Sequence, residues 1–123
     1  MYKVNVDGAV FLAKKESGIG IVVWDSQGLV MVAMSMKIAL LGPLEVEAKA
    51  FEASLQFAKD LGLQDFILGG DSLNVYRALT GLSHAAAMVA PIVYGILDSC
   101  HNIHNVRFFS CKAQREYTCS PLS

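Results

Sequence analysis

The sequence has little charge, little proline and few cysteines. Only 17% of the 123 residues are charged, and there are 3 prolines and 3 cysteines. Globular proteins average about 25% charged residues, and disordered chains and coiled coils carry more, so both of these classes are excluded. The cysteines are odd in number and crowded into the last quarter of the chain, which favours reduced thiols over a disulfide framework.

The sequence also lacks an excess of positive charge. It has 10 Lys and Arg against 11 Asp and Glu, a net charge of −1. No long-range field therefore attracts polyanions, and any contact with nucleic acid must come from a local basic patch or from metal ions. With 54% hydrophobic residues, a chain of this length can bury one core, so we expect one domain and a monomer.

An uncharged stretch between Arg77 and Asp98 is long enough to span a bilayer. A polar cluster at residues 80–84 interrupts it, and a proline and a glycine break the apolar run at 85–97. We therefore predict a buried helix here and no transmembrane segment or membrane partner. The amino terminus lacks the pattern of a secretory signal, so we expect an intracellular protein of the nucleus or cytoplasm.

Apolar residues alternate along several segments and recur at helical spacing along others. The first strand is followed by two strands that form a hairpin, and then by a helical crossover to a strand parallel to the first. This order predicts a mixed α/β sheet with helices packed on it. Ligands bind such sheets at the carboxyl ends of the parallel strands. The predicted strands are 2–10, 18–24, 29–37, 66–70 and 105–110, and the predicted helices are 44–61, one beginning at Asp71 or Ser72, and 86–100.

Three acidic residues are candidates for a functional site. Asp7 lies near the end of the first strand, and Asp71 lies at the exit of the fourth. Glu47 falls on the apolar face of the first predicted helix, opposite the charged face that includes Glu45. A carboxylate is rarely buried without a partner, and the local pattern supplies none for Glu47.

Convergence of the three acids would form a cluster that binds metal ions. Neighbouring carboxylates repel one another and stay ionised only with a cation, and hard oxygen ligands suit Mg²⁺ or Mn²⁺. Two such ions about 4 Å apart can activate a water and stabilise the leaving oxygen of a phosphodiester. Taken singly, Asp7 reads as a solvated strand residue and Asp71 as a helix cap.

Four segments follow one another in an order that is typical of one family. They are Val-Asn-Val-Asp-Gly-Ala at 4–9, Gly-Ile-Gly-Ile-Val-Val-Trp-Asp-Ser-Gln-Gly at 18–28, Val-Glu-Ala-Lys-Ala at 46–50 and Asp-Ser at 71–72. Together they resemble the type 1 ribonuclease H domain, in the plant reverse transcriptase-like branch derived from retroelements. The resemblance covers the chain from Lys3 to about Ser110.

The resemblance implies a fold, a site and an activity. The implied fold is an α/β ribonuclease H-like fold whose five-stranded mixed sheet has three antiparallel strands, two strands parallel to the first, and helices packed on both faces. Asp7, Glu47 and Asp71 would be the catalytic residues and would hold two Mg²⁺ or Mn²⁺ ions. The implied activity is endonucleolytic hydrolysis of RNA in RNA–DNA hybrids.

The sequence departs from the family pattern after Ser110. Residues 111–123 lack the Asn-x-x-Ala-Asp motif and read as an atypical tail that replaces the last helix of the domain at 1–110. The fourth metal ligand is therefore missing, and Glu116 is the only acid left in the tail. The alternative function is a catalytically inactive, retroelement-derived module that binds nucleic acid or protein.

Substrate contacts have weaker support. Basic residues that can contact phosphates are Lys14, Lys15, Lys49 and Arg77, although a solvated surface position is the default explanation for each of them. An RNA–DNA hybrid would be bound through its backbone and 2′-hydroxyl groups. A zinc site at Cys100, His101, His104 and Cys111 is disfavoured, because the paired-cysteine spacing of such sites is absent.

Overall fold

A computed structural model describes residues 1–11, 13, 15–39, 42–70, 72–81, 84–110 and 115–119. Six strands and three α-helices form in these ranges. The strands are β1 (Tyr2–Phe11), β2 (Glu16–Trp24), β3 (Val30–Ala39), β4 (Asp65–Gly70), β5 (Asn105–Ser110) and β6 (Arg115–Cys119). The helices are α1 (Pro43–Asp60), α2 (Leu73–Leu79) and α3 (Ala90–Ser99).

The strands form one mixed sheet in the order β3-β2-β1-β4-β5-β6. β2 is antiparallel to both of its neighbours, β1 and β3, and β4 and β5 continue the sheet parallel to β1. The predicted mixed sheet of five strands is therefore confirmed. β6 adds a sixth strand antiparallel to β5, in the segment that the sequence marks only as an atypical tail.

Alternating apolar residues give the sheet one buried face. Val4 of β1 is in register with Leu68 of β4, which is in register with Phe108 of β5, and all three are fully buried. β2 contributes Ile21 and Val23 to the same core. Because neighbouring residues of a strand point to opposite faces, Asn5 and Asp7 belong to the other face.

The three described helices pack on this buried face and against one another. The connections from β1 to β4 and from β4 to β5 run in the same direction along the sheet. Right-handed crossovers in one direction place their helices on the same side, which explains the arrangement. The sequence predicts helices on both faces; in the described ranges the helices occupy one.

The predicted buried helix at 86–100 is shorter than expected. α3 begins at Ala90, with Pro91 in its first turn, and a short 3₁₀ turn follows it at Cys100–Asn102. Proline favours the first turn of a helix, because its missing N–H has no partner there in any case. No helix in the described ranges is both long and apolar enough to cross a membrane.

Candidate active site

Asp7 lies directly after the point at which β1 stops pairing with β4. The last pair of the parallel β1–β4 ladder joins Val6 to Gly70, at the final residue of β4. Asp7 is the next residue of β1 and is exposed. Its carboxylate therefore stands at the carboxyl end of the parallel strands, where open α/β sheets bind their ligands.

Asp71 lies outside the described residues, but both of its neighbours in the chain are described. Gly70 ends β4 opposite Val6, and Ser72 is the N-cap of α2. Ser72 is only 7% exposed. The N-cap, which the sequence leaves open between Asp71 and Ser72, is thus Ser72, whose Oγ accepts a hydrogen bond from the Val75 N–H at 3.2 Å.

Glu47 is half-buried on the inner face of α1, as its position in the apolar stripe predicts. The Ser72 hydroxyl donates a hydrogen bond of 2.7 Å to Glu47 Oε2, across 25 residues of sequence. This bond supplies the partner that the local pattern lacks. Glu45 lies apart from this contact, with its Oε1 near Gly42 at the start of α1.

Two glycines allow the elements of the site to approach one another. A Cβ added to Gly8 would lie 2.7 Å from Val46 Cγ1 and 3.3 Å from the Val46 carbonyl oxygen. A Cβ added to Gly70 would lie 3.1 Å from the Val6 carbonyl oxygen and 3.2 Å from Phe51 Cζ. The Gly8 distance to Val46 Cγ1 is shorter than Cβ contacts in proteins, and the Gly70 distances are tight. Glycine at these positions therefore lets α1 pack closely against β1 and β4 and brings Glu47 towards Asp7.

The two described acids line one small cleft. Carboxylate oxygens are hard ligands, and solvent access at Asp7 leaves room for the waters that Mg²⁺ retains, so the donor set fits a hard divalent cation. Within the described ranges no three His, Cys, Asp or Glu side chains form a metal-binding group, and the third predicted acid lies outside those ranges. The cleft is lined by Val6, Asp7, Gly8, Glu47, Ala50, Phe51 and Ser72.

The predicted phosphate-contacting residues are spread over the surface. Lys15 is exposed before β2 and has a φ of 54°. Lys49 forms an ion pair with Glu52 on α1, at 3.1 Å between Nζ and Oε1. Arg77 is exposed in the last turn of α2, and Lys14 lies outside the described residues.

The disfavoured zinc site does not appear in the described part of the chain. Cys100 is buried, whereas His101 and His104 are exposed, and Cys111 lies outside the described residues. No metal-binding group of three side chains includes the described members.

The sequence misses one residue of the site, the serine that binds Glu47. Ser72 reads only as a helix cap, because its second contact joins residues far apart in the chain. A signal for this contact does exist in the sequence. Glu47 is an acid in an apolar stripe, Ser72 is a small polar residue at the exit of a neighbouring strand, and the two are complementary hydrogen-bonding groups.

The sheet order and the position of the acids define a ribonuclease H-like α/β domain. The model of the family described as reverse transcriptase-like matches residues 5–111, so the chain belongs to the reverse transcriptase-like family. A search of curated proteins finds no match.

Solved structures share the fold at low sequence identity. Ribonuclease H1 from the archaeon Halobacterium salinarum aligns with a TM-score of 0.79 and 19% identity, over 92% of this chain and 88% of that one. LC11-RNase H1 in complex with an RNA/DNA hybrid aligns with a TM-score of 0.76 and 14% identity, over 93% and 88% of the two chains. The foamy viral protease-reverse transcriptase in complex with double-stranded DNA aligns at 0.71 and 15%, over 92% and 86%.

Proposed function

We propose that this protein is a metal-dependent endonuclease that hydrolyses the RNA strand of RNA–DNA hybrids. The observation that carries the proposal is that Asp7 of β1 and Glu47 of α1 line the same cleft, with Ser72 in its wall. Two elements distant in the chain thus bring two hard-oxygen ligands together at the ligand-binding end of the sheet.

Each acid has a distinct part in the proposal. Asp7, exposed at the open edge of β1, would bind the cation on the side that the substrate reaches. Glu47 would bind it from the protein side, with the Ser72 hydrogen bond fixing the carboxylate orientation. Asp71, directly before Ser72 in the chain, would be the third ligand. When bound, two divalent cations supply the Lewis acidity for in-line displacement at a phosphodiester.

The likeness to LC11-RNase H1 bound to an RNA/DNA hybrid supports the choice of substrate. The net charge of −1 agrees with it, because a protein without a general positive field needs cations between its acids and a phosphodiester. The hybrid would be recognised by its shape, through backbone and 2′-hydroxyl groups.

A cleavage assay with a labelled hybrid tests the proposal. The wild type should cut the RNA strand in Mg²⁺ or Mn²⁺ and lose this activity in EDTA. Asp7→Asn and Asp71→Asn should each lower the rate by more than the roughly 10–100-fold that loss of an outer-shell partner costs. Asp98→Asn, an exposed acid on α3, is the matched control and should retain full activity.

The assay also separates the enzyme from the inactive module. Hybrid binding by the wild type without cleavage in either metal would favour a nucleic-acid-binding module and reject hydrolysis. Cleavage that survives Asp7→Asn and Asp71→Asn would reject the assigned site.

A further inference from the structure

A groove of about 470 Å³ crosses β1, β2 and β3 beside the carboxylate cleft. In the register of the sheet Asp7 is paired with Gly20, and Gly20 with Ser35, so the three form one row. Gly18 and Lys37 are paired in the row next to it. These residues alternate with the core positions, so the rows belong to the sheet face away from the helices.

The floor of this groove is open. A Cβ added to Gly20 would meet no atom within 4 Å, in contrast to the crowded glycines of the carboxylate cleft. A glycine inside a strand weakens the strand and often marks a bulge, a bend or a close approach by a ligand. The register of β2 shows no bulge at Gly20, with either β1 or β3. The space above Gly20 is therefore available to a ligand that enters from the side of Asp7.

The far end of the groove carries positive charge. The side chain of Lys37 is 82% exposed, and its Nζ lies 3.8 Å from Glu16 Oε2. A long, exposed ion pair of this kind holds a lysine weakly, so the ammonium group can turn to another anion. Lys15, directly before β2, is exposed at the same end of the strand.

We infer that this groove holds the RNA strand next to the bond that is cut, with Lys37 contacting a backbone phosphate. The inference rests on the proposed function, and two observations select the occupant. Asp7 lines both the cleft and the groove, so the strand cut at one continues into the other. The lysine end has the charge opposite to that of a phosphate.

The dimensions of the groove suit a few nucleotides. β1 and β3 are two strand spacings apart, about 10 Å. Nucleotides in double-stranded DNA are about 3.4 Å apart along the helix axis, so a length of this order spans a few nucleotides. Lys37 therefore contacts the substrate outside the reacting bond and sets its position along the sheet.

Hybrid binding in Ca²⁺, which has a looser coordination geometry than Mg²⁺, tests the lysine, with cleavage monitored in the same samples. Fluorescence anisotropy of a labelled hybrid should show that Lys37→Gln weakens binding, and that the loss is about threefold larger at about 50 mM than at about 200 mM salt, the share of one phosphate contact. The slope of log affinity against log salt should decrease in magnitude by about one. Lys59→Gln, at the end of α1, is the matched control and should leave Kd and slope unchanged.

A side chain added at Gly20 tests whether the hybrid occupies the space above this residue. Gly20→Val should weaken hybrid binding more than tenfold while the thermal midpoint stays level or rises, because valine favours strands and meets no atom there. Ala33→Val adds a branched side chain on the same sheet face, one row away, and should bind as the wild type does.

The outcomes distinguish the groove from the proposed function. If the wild type binds and cleaves the hybrid while Lys37→Gln and Gly20→Val bind it normally, the groove does not hold the RNA strand, and the proposed function still stands. An unchanged salt slope for Lys37→Gln would also overturn the phosphate contact. A wild type that neither binds nor cleaves the hybrid would overturn both.

Discussion

At the scale of single residues, Ser72 links the site to the fold. Its Oγ donates to Glu47 Oε2 and accepts from the Val75 N–H, so one hydroxyl both orients an acid and caps α2. Glu47 would otherwise place a half-buried carboxylate among apolar side chains, which costs free energy unless a donor meets it. The serine therefore explains how an acid is tolerated in the inner stripe of α1.

Ser72→Ala should affect both stability and activity. Loss of the cap should lower the free energy of unfolding by about 1 kcal/mol, and loss of the bond to Glu47 should lower kcat by roughly 10–100-fold. Urea denaturation and hybrid cleavage measure the two effects. Ser72→Thr retains a hydroxyl and should restore much of the cleavage rate. If Ser72→Ala is destabilised but fully active, the role of Ser72 is only to cap α2, and its contact with Glu47 does not contribute to cleavage.

The two acids at the start of α1 should differ sharply. Glu47→Gln should lower the rate of hybrid cleavage by more than about a hundredfold, because a neutral amide is a poorer cation ligand than a carboxylate. Glu45→Gln removes the same charge from the same helix away from the cleft and should stay active. Comparable losses in the two variants would contradict the choice of Glu47.

At the scale of elements, the site depends on how closely α1 packs against β1. Gly8 faces Val46, the residue before Glu47, at a distance that admits no Cβ. Gly70 makes a similar approach to Phe51 one turn further along the helix. The approach of Glu47 to Asp7 therefore depends on the absence of a side chain at Gly8 and at Gly70.

Gly8→Ala should separate these elements. The clash with the Val46 side chain and carbonyl should lower the free energy of unfolding by about 1–3 kcal/mol and reduce cleavage. Gly95→Ala on α3, where an added Cβ meets no atom, is the matched control. It should be neutral or stabilising by up to about 1 kcal/mol, because alanine favours helices. Equal stability of the two variants, measured by urea denaturation, would contradict the close packing.

At the scale of the whole molecule, periodicity predicts most of the fold. The alternation around Val4 and Val6 and the helical stripe of α1 are local patterns, so five strands and the position of Glu47 can be read from them. Contacts between distant segments are not local, and neither the Ser72–Glu47 bond nor the pairing of β6 with β5 follows from either segment alone. The placement of the helices on one face of the sheet, in the part of the chain that the structure describes, follows from crossover handedness rather than from composition.

The low charge of the chain makes its few acids informative. Glu47 is an exception among the apolar residues of the inner face of α1, and the packing of α1 against β1 brings it to the cleft that Asp7 also lines. Asp7 gives no such signal alone, since an exposed acid on a strand is ordinary. Its significance comes from the end of the β4 ladder beside it.

Titration of the purified protein with Mn²⁺, followed by electron paramagnetic resonance, tests the cation site most directly. The wild type should bind Mn²⁺ saturably, and Mg²⁺ should compete. Asp7→Asn/Glu47→Gln should abolish this binding, while Asp98→Asn should retain it. Equal Mn²⁺ binding by the wild type and Asp7→Asn/Glu47→Gln would contradict a metal site at this cleft.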